Sequence, residues 1–290
     1  MKKNPVFVIF GILAVLFCLN ILAWVAAFEF AKPQLLEVTF FDVGQGDAIF
    51  IETPERWQTL IDGGPTSAVL EKLGKEMPFW DRTIDLVILS HPEHDHVAGL
   101  IEVLKRYEVK NVLWTGVVRD TEEYKEWVKV LNKENAKIII AQAGQKIDVC
   151  HCEVLHPFES LEGQEFKDSN NTSVIIKLVF GETSFLFTGD AYKSIERQLL
   201  GRAKQQPSQT WQQLDSDVLK VGHHGSKTST APEFIGAVSP EVAVISVGKD
   251  NKYGHPHQET LETLSGIEIL RTDQDGDIKI ISDGASHEIE

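Results

Sequence analysis

The sequence predicts an α/β fold in which two β-sheets pack face to face with helices outside. Three observations carry that prediction. Short β-rich runs alternate with amphipathic helical runs along nearly the whole 290-residue chain. The alternation occurs in two halves, each with its own helices, so each half can build a sheet whose outer face is covered. The chain beyond its first thirty residues is long enough for one large domain with a sizeable core.

The elements follow in order. "LLEVTFFDV" and "DAIFIET" read as two strands of a hairpin-like unit around Gly44-Gln45-Gly46, and "WQTLIDGG" as a third strand ending in an Asp and two glycines. Val69 to Lys75 is helix-like. "IDLVILS" holds consecutive apolar residues, the pattern of a strand buried on both faces. A helix over Val97–Tyr107, the strand "NVLWTG", a helix over Thr121–Glu134 and the strand "AKIIIA" complete the first half. The second half offers the strands "CEVLHP", "SVIIKLVF" and "SFLFTGD", then a helix over Lys193–Leu200 and a polar loop, "KQQPSQTWQQ" (204–213). "DVLKVGHHGS" is a strand running into a turn. Thr230–Ala237 is helical, "VAVISVG" a strand and His257–Leu264 a helix, and "EILRT" and "DIKIIS" are expected to close the chain as a hairpin.

The first thirty residues differ. Pro5 to Phe28 is almost wholly apolar, with Asn20 the main exception, and about 20 such residues cross a hydrocarbon core of roughly 30 Å. A cleavable signal peptide is the rival reading, but its apolar region is usually only about 7–15 residues. Trp24-Val25-Ala26-Ala27-Phe28 also makes a poor cleavage site. Lys2 and Lys3 precede the span, while Glu29 and Glu37 follow it with only Lys32 between. That bias places the N-terminus in the cytoplasm and the remainder outside. The expected organisation is a single-pass anchor over 1–30, a tether over 31–36 and a catalytic domain over 37–290. A net charge of −15 gives no broad basic surface for nucleic acid, without excluding a local groove. Cys18 lies in the span; Cys150 and Cys152, two apart, read as buried strand cysteines sharing a face.

Acidic residues and histidines gather just after the expected strands: Asp62 after "TLI", His91 to His96 after "LVIL", Asp190 after "FLFTG", and His223 and His224 after "VLKV". Loops at strand ends are where site residues project. A lone loop histidine is usually solvated or hydrogen-bonded. His-x-Glu-x-Asp-His is different, because imidazole and carboxylate together suit zinc, manganese or iron, and a distant Asp can bridge two ions. His151, His156 and His287 stand without such partners and read as structural.

"LVILSHPEHDH", "LIDGG", "FLFTGD" and "VGHHGS" resemble the motifs of the metallo-β-lactamase fold. "FFDVGQGDAIFIET", "LKVGHHGS" and "ISVGKDNKYGHP" narrow the resemblance to the extracytoplasmic domain of the ComEC competence family, over roughly residues 36–284. The resemblance implies a four-layer αββα sandwich with one or two Zn²⁺ or Mn²⁺ ions at the edge between the sheets. It matches His91 to the first motif histidine, Asp95 and His96 to the last two motif members, and Asp190 to the bridging aspartate. Asp62 matches the aspartate that supports the metal loop. The terminal ligand falls in the pair His223-His224, which cannot both point the same way on a strand; His224 is favoured, and its neighbour would hold substrate or orient a ligand. His94 falls on a variable position. Two departures stand out: Glu93 replaces the second motif histidine, and Asn170 and Asn171 stand where a further histidine is expected. One ion position would then have His91, Glu93 and Asp190; the other would have Asp95, His96, Asp190 and His224.

The function implied is a membrane-anchored extracytoplasmic phosphodiesterase or nuclease, with single-stranded DNA or another phosphodiester as substrate and the DNA-uptake machinery as partner. Asp95 and Asp190 would orient the nucleophile. His223, Ser226 and Lys227 would hold a phosphate, and Tyr253 and His255 would line the cleft. The alternatives are a hydrolase of cell-wall or choline-phosphate esters, and a non-catalytic binding module with a degenerate metal site.

Overall fold

The computed structural model describes residues 5–31, 35–205 and 214–290, with side chains for 9–24, 35–204 and 214–290. The chain divides into two units, Met1–Gln34 and Leu35–Glu290. The first carries one helix, α1 (Pro5–Ala31). Among the described residues no helix is long and apolar enough to cross a membrane. The side chains described in α1 are those of residues 9–24, fewer positions than the roughly 20 a span requires. The expected transmembrane helix is therefore not shown. Residues 32–34 of the expected tether and 206–213 of the expected polar loop lie outside the described residues.

The second unit begins with β1 (Leu36–Phe40), β2 (Ile49–Glu52), β3 (Gln58–Ile61), α2 (Ala68–Glu76), β4 (Thr83–Ile88), α3 (His94–Leu104), β5 (Glu108–Trp114), α4 (Glu122–Leu131) and β6 (Lys137–Ile140). It continues with β7 (Lys146–Ile147), β8 (Cys152–His156), β9 (Ile175–Phe180), β10 (Thr183–Phe187), α5 (Lys193–Gln205), β11 (Val218–Lys220), α6 (Pro232–Val238) and β12 (Val242–Ile245). It ends with α7 (Gln258–Thr263), β13 (Glu268–Arg271), the single turn α8 (Thr272–Asp275), β14 (Ile278–Ser282) and β15 (His287–Ile289). One sheet has the order β15-β14-β1-β2-β3-β4-β5-β6, the other β13-β12-β11-β10-β9-β8-β7.

Alternation along the strands builds the layers. Leu36, Val38 and Phe40 of β1 point inward with Ile51, Leu86 and Ile88, and meet Phe185, Phe187, Val218 and Val244 of the other sheet. The opposite face of the first sheet, with Leu60, Val87 and Val112, packs under Leu73 of α2, Leu100 of α3 and Trp127 of α4. The opposite face of the second, with Leu186, Leu219 and Ala243, packs against Ile195, Leu199 and Phe234 of α5 and α6. The result is helix–sheet–sheet–helix. Strand β4 is buried on both faces, as its apolar run requires.

Three expectations are corrected. "EILRT" and "DIKIIS" do not pair with each other. β13 runs parallel to β12 in the second sheet, whereas β14 lies antiparallel to β1 in the first. The turn α8 carries the chain from one sheet to the other, and the closing hairpin is β14 with β15, a strand too short and polar to stand out. Cys150 and Cys152 do not share a strand face either. His151 between them adopts a left-handed backbone (φ 50), so Cys150 ends a 3₁₀ turn while Cys152 opens β8, and the two are disulfide-bonded. Finally, α5 extends past Leu200 to Gln205.

Candidate metal centre

The carboxyl ends of the central strands meet at one edge of the sandwich, and each loop there delivers a charged or polar side chain. Asp62 follows β3 and His91–His96 follow β4. Asp190 follows β10, and His223 and His224 follow β11. Two glycines let the first two loops approach. A Cβ on Gly99 of α3 would lie 1.8 Å from the Gly63 carbonyl oxygen, and one on Gly63 would lie 2.4 Å from the Leu100 nitrogen. Gly63 N–H donates to His96 O (2.9 Å) and Gly99 N–H to Gly64 O (2.9 Å), which ties the first turn of α3 against Asp62.

The imidazoles are oriented from behind. Asp62 is buried and accepts from Ser90 N–H (2.7 Å), Ser90 Oγ–H (2.6 Å) and His96 Nδ1–H (2.8 Å). With its proton given to Asp62, the Ser90 hydroxyl accepts from His91 Nδ1–H at 2.9 Å. His224 Nδ1–H donates to Ser246 O at 2.9 Å. All three rings therefore turn Nε2 toward the same space, and all three Nε2 atoms, like Asp190 Oδ1, are buried without a hydrogen-bond partner. Fixing Nδ1 so that Nε2 is free is how metal-binding histidines are prepared.

Asp190 Oδ2 stands at the centre. It lies 3.4 Å from His96 Nε2, 3.5 Å from His224 Nε2, 3.8 Å from His223 Nε2 and 3.9 Å from His91 Nε2. Asp95 adds a carboxylate 3.4 Å from His224 Nε2. One ligand atom from each of Asp95, His96, Asp190 and His224 falls within 4.8 Å of the others. Two nitrogens and two carboxylate oxygens, mostly buried and unpaired, fit a divalent ion.

The electrostatics agree. Burial opposes charge on His224, but Asp190 and Asp47 outweigh it and raise its pKa to about 10. Burial likewise opposes charge on His96, yet Asp190, Asp62 and Asp95 hold it well above its usual range. Asp190 is pulled well below the carboxylate range against its burial, chiefly by His224 and His96. The carboxylates thus draw positive charge to the Nε2 positions, and a divalent ion competes there with protons. His91 is the exception: burial, with His96 nearby, lowers it to about 3.

His223 and His224 are not on a strand. Both adopt left-handed backbone, φ 49 and φ 54, in a 3₁₀ turn beyond β11. The rule that neighbours point opposite ways fails there, and both rings face Asp190. His223 Nδ1 pairs with Thr228 Oγ1 at 2.9 Å, and its Nε2 accepts from Asn170 Nδ2 at 3.3 Å. Thr228 Oγ1–H in turn donates to Ser226 Oγ at 2.9 Å, so the buried Ser226 braces the turn instead of lining the opening. Lys227 is exposed. His255 stands beside the pair, its ring 5.5 Å from that of His223 and its Nδ1 buried without a partner, while Tyr253 stacks on its outer side at 5.6 Å.

Glu93 is placed elsewhere. Its carboxylate pairs with Arg119 Nη2 at 2.8 Å and accepts from Ser169 Oγ–H at 2.6 Å. It is not in the group whose ligand atoms converge, among the described residues. Asn171 accepts from Tyr192 N–H (3.1 Å) at the approach to α5, so Asn170 is the asparagine that faces the site. His94 is exposed and meets Glu123 at 3.2 Å.

Three residues were not singled out from the sequence. Asp47, in the turn before β2, is buried and pairs with Lys220 Nζ at 2.6 Å, and its other oxygen lies 3.3 Å from His224 Nδ1. Burial opposes its charge, but Lys220 and His224 hold its pKa at about 2. The signal for Lys220 was a single cation inside an otherwise apolar strand. The signal for Asp47 was an acid between a glycine turn and "AIFI". Arg119 carried no local signal.

Comparison with known proteins agrees with this architecture. Residues 41–249 match the metallo-beta-lactamase superfamily. ComE operon protein 3 of Bacillus subtilis is 33% identical over 265 residues, covering 84% of this chain and 32% of that protein. Competence protein ComA of Neisseria gonorrhoeae is 32% identical over 244 residues, covering 82% of this chain and 31% of that protein. The chain thus spans about a third of the length of these curated relatives. A solved metal-dependent hydrolase of the beta-lactamase superfamily shares the fold at a TM-score of 0.53 and 14% identity, covering 81% of this chain and 95% of its own. Fold, strand-end cluster and matched residues lead to one conclusion: the chain belongs to the metallo-β-lactamase superfamily, and competence proteins are among its relatives.

Proposed function

We propose that the chain is a metal-dependent phosphodiesterase acting on DNA, held at a membrane by its N-terminal segment with the catalytic unit outside the cytoplasm. The observation that carries the catalytic reading is the convergence of Asp95, His96, Asp190 and His224, three of which (His96, Asp190 and His224) offer buried, unpaired atoms. Relatedness to competence proteins supports the substrate. The apolar run of residues 5–28 and the Lys2-Lys3 flank support the anchor.

Asp95, His96, Asp190 and His224 would hold Zn²⁺ or Mn²⁺. Asp62 and the Ser246 carbonyl keep the two rings turned toward it. When bound, the ion supplies Lewis acidity and an activated water at neutral pH. Burial, as the largest cause, lowers the pKa of His223, and its Nε2 stands at the mouth of the site beside Asp190. It can accept a proton from the attacking water or, once protonated, hold a phosphoryl oxygen. Asn170 Nδ2 is a second donor at that wall, and His255 and the exposed Lys227 flank it. His91 turns an unpaired Nε2 toward a second ion position, which Glu93 can complete only by leaving Arg119 and Ser169.

The test is to strip the full chain in detergent of metal, reload it with Mn²⁺ or Zn²⁺, count bound ions, and assay single-stranded DNA and bis-p-nitrophenyl phosphate. Metal-dependent cleavage of both is expected. Asp190→Asn should lower metal content and cut the rate by about 100-fold or more, since it removes the shared ligand. Glu93→Gln should leave metal content unchanged. Metal binding without cleavage of either substrate sinks the proposal and favours a binding module. Cleavage of a phosphocholine ester alone moves the substrate to the cell wall.

A further inference from the structure

We propose that the loop from Met77 to Arg82 is a membrane-surface contact, with Phe79 and Trp80 seated in the headgroup region of a phospholipid bilayer. This rests on the anchor proposed above.

Phe79 and Trp80 are 81% and 72% exposed, the most exposed large apolar side chains of the Leu35–Glu290 unit among the described residues. Single exposed apolar residues are ordinary. These two are adjacent, with ring centroids 4.8 Å apart and planes at 82°. The loop that presents them is built on both sides. Met77 is buried and its N–H donates to Leu73 O at 2.8 Å. Asp81 accepts from Thr83 N–H (3.0 Å) and Gln58 Nε2 (3.2 Å), and Arg82 donates to Tyr107 OH (3.0 Å). A held loop thus carries two rings that no described residue of the unit covers.

The position of the loop selects the partner. Lys279 Nζ joins Glu37, the second residue of β1, at 3.0 Å, and Glu76, the last residue of α2, at 2.6 Å. The loop therefore begins beside the point where the chain enters the first sheet from its N-terminal segment. Four residues, 32–35, separate Ala31 from β1, so Ala31 and Leu36 are at most about 18 Å apart. If the segment before them is embedded, this end of the unit stays near the bilayer surface. Headgroup layers some 5–8 Å thick flank the hydrocarbon core, and tryptophan concentrates there. Apolar rings also suit an acidic protein (net charge −15), because they engage lipid without relying on its charge. A nucleic-acid contact fits less well. The loop precedes β4 and the metal cluster follows it, so the six residues of that strand, at about 3.3 Å each, put roughly 20 Å between them.

The experiment is tryptophan quenching of the full chain in phosphatidylcholine vesicles, with and without bromine on the acyl chains. The emission of Trp80 is taken as the difference from Trp80→Phe, and that of Trp24 as the difference from Trp24→Phe. Loss of Trp80 emission in brominated vesicles is expected, together with loss of Trp24 emission. Quenching of Trp24 without Trp80 overturns the contact and leaves the anchor standing. Quenching of neither sinks both. Quenching of Trp80 without Trp24 supports the contact and removes the anchor. Quenching of Trp80 by single-stranded DNA but not by brominated lipid overturns the proposal in favour of nucleic acid.

Discussion

His156 shows how one ring is committed to structure while others in the fold face the candidate metal centre. It ends β8, is buried, donates Nδ1–H to Ser173 O at 2.8 Å and packs edge-on against Phe158. Burial, aided by Arg202, lowers its pKa to about 4 from 6.5. The folded ring stays neutral where the unfolded one takes a proton. Its contribution is therefore complete above about pH 6.5 and is lost as pH falls toward 4. By about pH 4 the loss approaches roughly 3 kcal/mol. Urea unfolding from pH 7 to pH 4 should show stability falling in this window for the wild type and a shallower fall for His156→Gln. Equal slopes would refute the assignment. His96 and His224 at the candidate metal centre differ because carboxylates face their Nε2 atoms, whereas His156 has a carbonyl on Nδ1. "HPEHDH" divides the same way: His91, Asp95 and His96 turn into the centre, His94 faces solvent, and Glu93 is drawn off by Arg119 and Ser169.

Among the elements, α6 starts on a contact supplied by another helix. Its N-cap position is Ala231, which offers no side-chain acceptor. Glu196 of α5 supplies one: its buried carboxylate accepts from Thr230 N–H at 2.6 Å and Ala231 N–H at 2.8 Å. Glu196→Ala leaves two buried donors unpaired and should cost about 2–3 kcal/mol, read as a lower urea midpoint. An unchanged midpoint would mean that water replaces the carboxylate. The sequence places this helix at Thr230–Ala237 but does not show its cap, because the acceptor lies more than thirty residues away in the chain. The last strands carried the same difficulty. β13 and β14 have the local pattern of a hairpin, and only their partners β12 and β1 assign them to different sheets.

For the whole molecule, the pair Asp47–Lys220 matters most. Asp47 belongs to the first sheet's β1–β2 connection and Lys220 ends β11 of the second, so a buried ion pair joins the two halves directly behind His224. Removing one partner strands the other charge, and Lys220→Met should cost about 3–5 kcal/mol in chelator-treated protein. Asp47→Leu combined with Lys220→Met should recover part of that stability while still weakening metal binding, through loss of the carboxylate behind His224. Urea unfolding and metal titration separate the two effects. Full recovery of both would show that Asp47 does not position the ring.

Some of this was determined by local sequence. Apolar alternation along "LLEVTFF" and "SFLF", the unbroken run in "IDLVILS" and the helical stripe after His96 specify sheets with one or both faces covered, because side-chain direction follows backbone period. The acids and histidines at strand ends were legible for the same reason, since a strand's end locates its loop. Tertiary structure decided the rest. Consecutive left-handed residues aim both His223 and His224 at Asp190, and an arginine from the loop after β5 takes Glu93 out of the cluster. A lysine buried between the sheets restrains Asp47. Each depends on groups far apart in the chain and close in space, whose charges interact only once folding has excluded water between them.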